Sequence, residues 1–226
     1  MFAGPLPESL DDVRWGSRKA QVDKLYHYAG PHSRGSGLAA IVAGSQRVQA
    51  AGLQAGIEGR RLARETTGGV AFWQFNEPWP AVSWSVIDRF GRPKAAYQML
   101  CRSYQPVLIA LRFQNRACLP GEMGHAEVWL VNDGPSAWSD CRADAHLRDA
   151  QLWSAEGLAL PAGGVVCAGS LTWRATPSQG VVRLRLFCGQ AELATNLYDL
   201  DVPIAGPGPR SARWRQALAS YLLRAD

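Results

Sequence analysis

The hydrophobic rhythm of the chain changes at Pro106. Before that proline, apolar residues recur at three- to five-residue gaps, then run without interruption, then return to helical spacing. After it, short alternating runs are separated by turn residues. A period near 3.6 marks a helix and a period of 2 marks a half-buried strand, so the two parts call for different element types. Length adds a second constraint. At roughly 150 residues per domain, the 226 residues allow one or two domains. A complete (β/α)8 barrel alone takes about 250 residues, so a whole barrel with a further domain does not fit.

Upstream of Pro106, Leu38, Ile41, Val42, Val48, Leu53, Ile57 and Leu62 predict an amphipathic helix, or a broken pair, over 38–65. Gly44, Gly52, Gly56 and Gly59 each cost it up to about 1 kcal/mol relative to alanine, so tertiary packing has to hold it. Thr66-Thr67-Gly68-Gly69 ends it. Val70 to Phe75 then reads as a strand apolar on both faces, the pattern of a strand covered on both sides in a parallel sheet or barrel. A Trp- and Pro-rich loop follows over 76–91, and Pro93 is expected to open a helix reaching Tyr104. Tyr26, His27, Tyr28 and His32 fall in an expected loop.

Downstream, strands are expected at 107–113, 125–132, 141–148, 164–174, 181–188 and 191–202. The alternation of residues 125–132 and 181–187 is that of half-buried antiparallel strands. Several short strands spaced by turns imply a β-sandwich. Gly206-Pro207-Gly208-Pro209 reads as a linker. Ala212 to Leu223 reads as a terminal helix with Trp214, Leu218, Tyr221 and Leu222 on one face. Of the other tryptophans, Trp129, Trp138, Trp153 and Trp173 fit core positions better than exposed glycan-binding ones.

Composition excludes several classes of function. The chain is 47% hydrophobic and 19% charged, enough for a real core. No run of about 18 apolar residues would span a membrane. The start, Met1 to Glu8, has no basic segment or apolar run of a signal peptide, so a cytoplasmic protein is expected. Only Lys19, Lys24 and Lys94 are lysines, and the densest basic group, Arg60, Arg61 and Arg64, lies beside Glu58 and Glu65. That is the pattern of a solvated helix face, and nucleic acid is not an expected partner. The five cysteines form no Cys-x-x-Cys pair and meet no paired histidines, so neither zinc nor another cofactor is expected. They read as small apolar residues in a reducing compartment, with one or two disulfides left open. No Gly-x-Ser-x-Gly elbow occurs, and His27, His32, His125 and His146 have no evident orienting partner. Asp11-Asp12 suits a helix start, Asp88 a turn, and Asp199 and Asp201 an exposed strand face.

The segment Gly69-Val70-Ala71-Phe72-Trp73-Gln74-Phe75-Asn76-Glu77-Pro78-Trp79-Pro80 is distinctive, as are Ser83-Trp84-Ser85-Val86-Ile87-Asp88 and Gly91-Arg92-Pro93-Lys94-Ala95-Ala96-Tyr97 after it. Together they resemble the last strand and helix of the catalytic barrel in glycoside hydrolase family 2, its β-mannosidase-like branch above all. Ser45 to Ala50 with Arg60-Arg61 resemble the preceding helix. Asn132-Asp133 and Asn196-Leu197-Tyr198 resemble positions in the sandwich that follows the barrel. The resemblance is strongest at 69–97.

The resemblance implies terminal βα units of a TIM barrel over 1–105, an immunoglobulin-like β-sandwich over 106–204, and a linker with a terminal helix over 205–226. It implies the C-terminal portion of a retaining enzyme acting on β-linked sugars, with a carbohydrate ligand and no metal. A carbohydrate-binding module and a complementing subunit of a split glycosidase are the alternatives. Substrate-binding candidates are Trp73, Asn76, Glu77 and Trp79, with Trp73 as the floor of a sugar subsite. A cis bond after Trp73 is also implied. Loop packing is the first reading of Trp79 and Trp84. Asn76-Glu77 imitates the Asn-Glu pair that carries the family's acid/base, but its flanks match the eighth strand, not the fourth. Glu77 is therefore placed at the rim of the sugar site. Both catalytic carboxylates are expected outside this sequence, so this chain alone is expected to be inactive. It is expected to associate with itself or with the remainder of a barrel.

Overall fold

The computed structural model describes residues 21–29, 37–79, 81–116 and 118–202. The expected linker and terminal helix beyond 204, Asp11-Asp12 and His32 lie outside the described residues. The chain divides into two compact units at Tyr104/Gln105, the first largely helical and the second all β.

In the first unit, α1 spans Val22–Ala29, α2 Leu38–Leu62 and α3 Ala95–Ser103, with a short 3-10 turn at Arg64–Thr66. Helix α2 runs 25 residues without a break despite its glycines. A Cβ built at Gly52, Gly56 or Gly59 would meet nothing within 4 Å, so these glycines answer no packing need. What holds the helix is its inner face. Ile57 joins Val86, Ala96, Met99 and Leu100 in a core of five buried residues among those described, flanked by Leu53, Val70 and Phe72. A polar cluster ties α2 to α3. Glu58 Oε1 accepts from Gln54 Nε2 at 3.2 Å and from Ser103 Oγ at 2.7 Å, while Arg61 donates to the Ser103 carbonyl at 2.6 Å.

Three expectations need correction here. Tyr26, His27 and Tyr28 lie on α1, not in a loop. Residues 70–75 form no strand. Val70, Phe72 and Gln74 turn inward while Ala71, Trp73 and Phe75 face outward, so only one face is covered. A doubly covered strand needs hydrogen-bonded neighbours along both edges, whereas the described residues meet the end of this segment with Val86 and Ile87, through the Gln74 and Phe75 carbonyls and the short pairing of Asn76 with Ile87. Pro93 precedes α3 by two residues and bridges to Ile87 rather than opening the helix.

The second unit is an antiparallel β-sandwich. Its strands are β1 Val107–Asn115, β2 Met123–Asn132, β3 Trp138–Leu147, β4 Ala150–Leu160, β5 Val165–Arg174, β6 Val181–Cys188 and β7 Ala191–Asp199. They form a three-stranded sheet ordered β1-β2-β5 and a four-stranded sheet ordered β4-β3-β6-β7. Strand β4 escaped the sequence reading. Its alternation is broken by Gly157 at φ 64°, and as an edge strand it buries few residues.

Inward residues of both sheets make a core of seventeen buried residues among those described, including Val128, Leu130, Trp173, Leu184 and Tyr198. Two buried polar side chains inside it, Tyr198 and Asn196, are paired, as burial requires. The Tyr198 hydroxyl accepts from the backbone N–H of Leu111 at 2.8 Å, and Asn196 Nδ2 donates to the Ile109 carbonyl at 3.0 Å. These bonds stitch β7 to β1 across the sandwich. Asn132 collects the loops at one end, donating to the carbonyls of Ser136 and Pro161 and accepting from Gly134 N. Gly124 lies opposite Trp173 on β5, and a Cβ there would stand 2.2 Å from the indole.

Candidate functional site

The distinctive segment folds into a layered loop on α2. The carbonyl of Phe75 accepts from Val86 N at 3.1 Å and Ile87 N at 3.0 Å, and Lys94 N donates to the Val86 carbonyl at 2.9 Å. Two glutamines of α2, about one turn apart, fasten these layers. Gln49 Nε2 donates to the carbonyls of Trp84 at 2.7 Å and Ser85 at 3.3 Å, and Gln46 Oε1 accepts from Ala95 N at 3.2 Å, at the start of α3. Asp88 closes the turn beyond. Its Oδ1 accepts from Phe90 N and Arg92 N, and Gly91 supplies the left-handed conformation the turn requires, at φ 76°. The Arg92 backbone N–H, foremost, holds the Asp88 carboxyl below its ordinary range.

Glu77 sits within the layers, 7% exposed. Its Oε2 accepts from Ser83 Oγ, accepts from Ser85 Oγ at 2.9 Å and lies 3.5 Å from Lys94 Nζ. Lys94 Nζ also donates to Ser85 Oγ at 2.8 Å. A buried carboxylate is tolerable only with such partners. The arrangement makes Glu77 a clamp: it joins the first pass of the loop, through Ser83 and Ser85 of the second, to Lys94 at the start of α3.

Over this clamp the aromatic residues face solvent. Trp73 is 77% exposed, Trp79 62% and Trp84 66%. The packing expected for Trp79 and Trp84 is therefore absent among the described residues. The bond between Trp73 and Gln74 is cis. Asn76 is exposed beside them, its carbonyl accepting from Gln74 Nε2. Trp73 and Trp84 also border a cavity of about 510 Å³, whose other walls include Tyr28 of α1 and Val48 and Leu53 of α2. A mostly apolar, aromatic-walled hollow with a few polar groups is what a small-molecule site provides. Asn76, Glu77 and Trp79 do not line it.

The tryptophans of the sandwich behave oppositely. Trp173 is buried, and Trp129, Trp138 and Trp153 are half-buried. Sequence reasoning assigned no role to Gln46, Gln49, Ser83, Ser85 or Lys94, although each stands within a quoted motif. The signal was available in the spacing of the glutamines, which puts both on one face of α2. Among the described residues, no group of three or more His, Cys, Asp or Glu comes together as a metal site, and no helix is long and apolar enough to cross a membrane. His27 stacks edge-on to Tyr28, with ring centres 5.0 Å apart, and His146 lies 3.4 Å from Asp144.

No protein-family model matches the chain. Among curated proteins, β-mannosidase B of Aspergillus niger is 32% identical over 96 residues, and that of Emericella nidulans 31% over 96. Each match covers 39% of this chain and 11% of the relative, so the matched stretch is about a tenth of those enzymes' length. Among solved structures, a β-D-mannosidase from Dictyoglomus thermophilum superposes with a TM-score of 0.65 at 21% identity, covering 84% of this chain and 24% of that one. An exo-chitosanase from Amycolatopsis orientalis gives 0.60 at 21% identity, covering 83% and 24%. The chain is thus similar in sequence, over part of its length, to β-mannosidases, and similar in fold to a β-mannosidase and an exo-chitosanase.

Proposed function

We propose that residues 1–105 belong to the end of a β-mannosidase-like catalytic barrel and 106–204 to the immunoglobulin-like sandwich after it. In this reading the chain supplies sugar-binding groups of a retaining hydrolase of β-linked sugars. The catalytic carboxylate pair comes from other parts of the barrel. The observation that carries the reading is the outward row of Ala71, Trp73 and Phe75 beside an inward row packed on the core. An extended segment apolar on both sides finds its second cover in neighbouring barrel strands. Active sites of such barrels sit at the strands' carboxyl ends, and the family resemblance assigns Trp73, Asn76 and Glu77 to such an end.

Trp73 is the stacking platform, since an indole face suits the C–H face of a pyranose ring. Asn76 and Trp79 stand beside it, and Glu77 holds them in position from below through Ser83, Ser85 and Lys94. Tied in this way, Glu77 is a supporting carboxylate rather than a proton donor.

Hydrolysis of an aryl β-mannoside tests the proposal. The chain alone should turn over nothing. In an enzyme assembled from this segment and the rest of a barrel, Trp73→Ala should lower kcat/KM at least about tenfold, about 1.4 kcal/mol of transition-state stabilisation. Unchanged kcat/KM would remove Trp73 from the site. Turnover by the chain alone, lost in Glu77→Gln, would make Glu77 catalytic and overturn the division of labour. Saturable binding of mannobiose by the chain alone would instead favour a carbohydrate-binding module.

A further inference from the structure

We propose that Cys141 and Cys188 form a reversible disulfide across β3 and β6, a redox clasp within the four-stranded sheet. These two are Cα partners in an antiparallel register that runs without a shift from Cys141–Cys188 to Leu147–Val182. Directly opposed residues of antiparallel strands have Cα atoms about 4.5 or 5.5 Å apart, inside the window of about 4.4–6.8 Å that a disulfide spans. Opposed side chains also leave the sheet on the same face. The thiols converge on one acceptor: Cys188 Sγ lies 3.2 Å and Cys141 Sγ 3.8 Å from the Ser139 carbonyl. Cys167, by contrast, has Trp129 as its cross-strand partner, and Cys101 lies on α3.

The environments of the two sulfurs set the order of events. Cys188 ends β6, half-buried, beside the turn at Gly189. Cys141 is 1% exposed, and burial, with Cys188 alongside, pushes its thiol up to about 12. The accessible Cys188 therefore reacts first, since the thiolate is the nucleophile. With a small-molecule disulfide such as oxidised glutathione, the Cys188 thiolate attacks one sulfur and releases one glutathione thiolate. Cys141 then loses its proton to that leaving group and attacks the Cys188 sulfur of the mixed disulfide, releasing the second glutathione. Two protein thiols are oxidised to one disulfide, and one glutathione disulfide is reduced to two thiols.

The test is to equilibrate the folded full chain in glutathione mixtures from reducing to oxidising, block free thiols with a maleimide and map the peptides by mass. The expected product joins the Cys141 and Cys188 peptides with the loss of two hydrogens, while Cys101 and Cys167 take the label. Its thermal midpoint should exceed that of the reduced chain, and Cys188→Ala should abolish the difference. Labelling of both Cys141 and Cys188 at every glutathione ratio would overturn the proposal, as would their linkage to other cysteines. The wild-type map decides even if Cys188→Ala does not fold. In a folded Cys188→Ala chain, glutathione capture by Cys141 as fast as by wild-type Cys188 would overturn the order assigned.

Discussion

The helical unit and the sandwich both carry several tryptophans, yet expose them in opposite ways. In the sandwich, every tryptophan described is buried or half-buried, and β1 and β7 are joined by the Tyr198 hydroxyl. In the helical unit, the core holds five buried residues among those described against seventeen, while Trp73, Trp79, Trp84 and Phe75 face outward. Aromatic side chains carry large apolar areas, and a contiguous exposed group of them marks an interaction surface. Among the described residues, the sandwich covers its tryptophans and the helical unit leaves Trp73, Trp79 and Trp84 exposed.

That contrast can be attacked experimentally, beginning where the effect is greatest. Leu184→Ala removes a fully buried side chain and should cost the sandwich about 2–5 kcal/mol in urea unfolding. A loss under about 1 kcal/mol would mean that the core is looser than described. Tyr198→Phe leaves the Leu111 N–H without its acceptor and should cost about 1–3 kcal/mol. A smaller loss would show that β1 does not depend on that bond. In the helical unit the sign reverses. Gly56→Ala, on an exposed helix position with open space around it, should stabilise by about 0.5–1 kcal/mol. Destabilisation would mean that the outer face of α2 is covered.

The smallest effect concerns Asp88, whose folded carboxyl titrates below its ordinary value of 3.8 because backbone N–H groups favour its charged form. A depressed carboxylate contributes stability that is present above the ordinary value and lost as pH falls through the folded one. The turn at 88–92 should loosen in that acid range before the sandwich does, as read by amide chemical shifts. In Asp88→Asn that step should vanish.

Much of this was legible in the residues. Expected strands overlap β1, β2, β3, β5, β6 and β7 because their alternation survives burial on one face, as in 125–132. Strand β4 was lost because Gly157 interrupts its rhythm. Helix α2 was legible, but its continuity was not, since local propensity counts the glycines and cannot see Ile57 packed against Met99 and Leu100. Residues 70–75 were misread because an apolar run encodes how much cover a segment wants rather than which neighbours provide it. At the site, the resemblance of the 69–97 segment to a known family pointed to the tryptophans. The clamp on Glu77 was hidden because its partners lie 6, 8 and 17 positions away, joined by a fold in the loop that no periodicity announces.

Gly124 and Trp173 carry a consequence for how this sandwich can change over evolutionary time. They are 49 positions apart, yet the indole fills the space that a side chain at 124 would need. The two sites therefore share one fixed allotment of volume. A lineage that enlarges residue 124 must shrink residue 173 in compensation, and related sequences should show the pair exchanging size as a unit, small with large, while each varies freely in no background of its own.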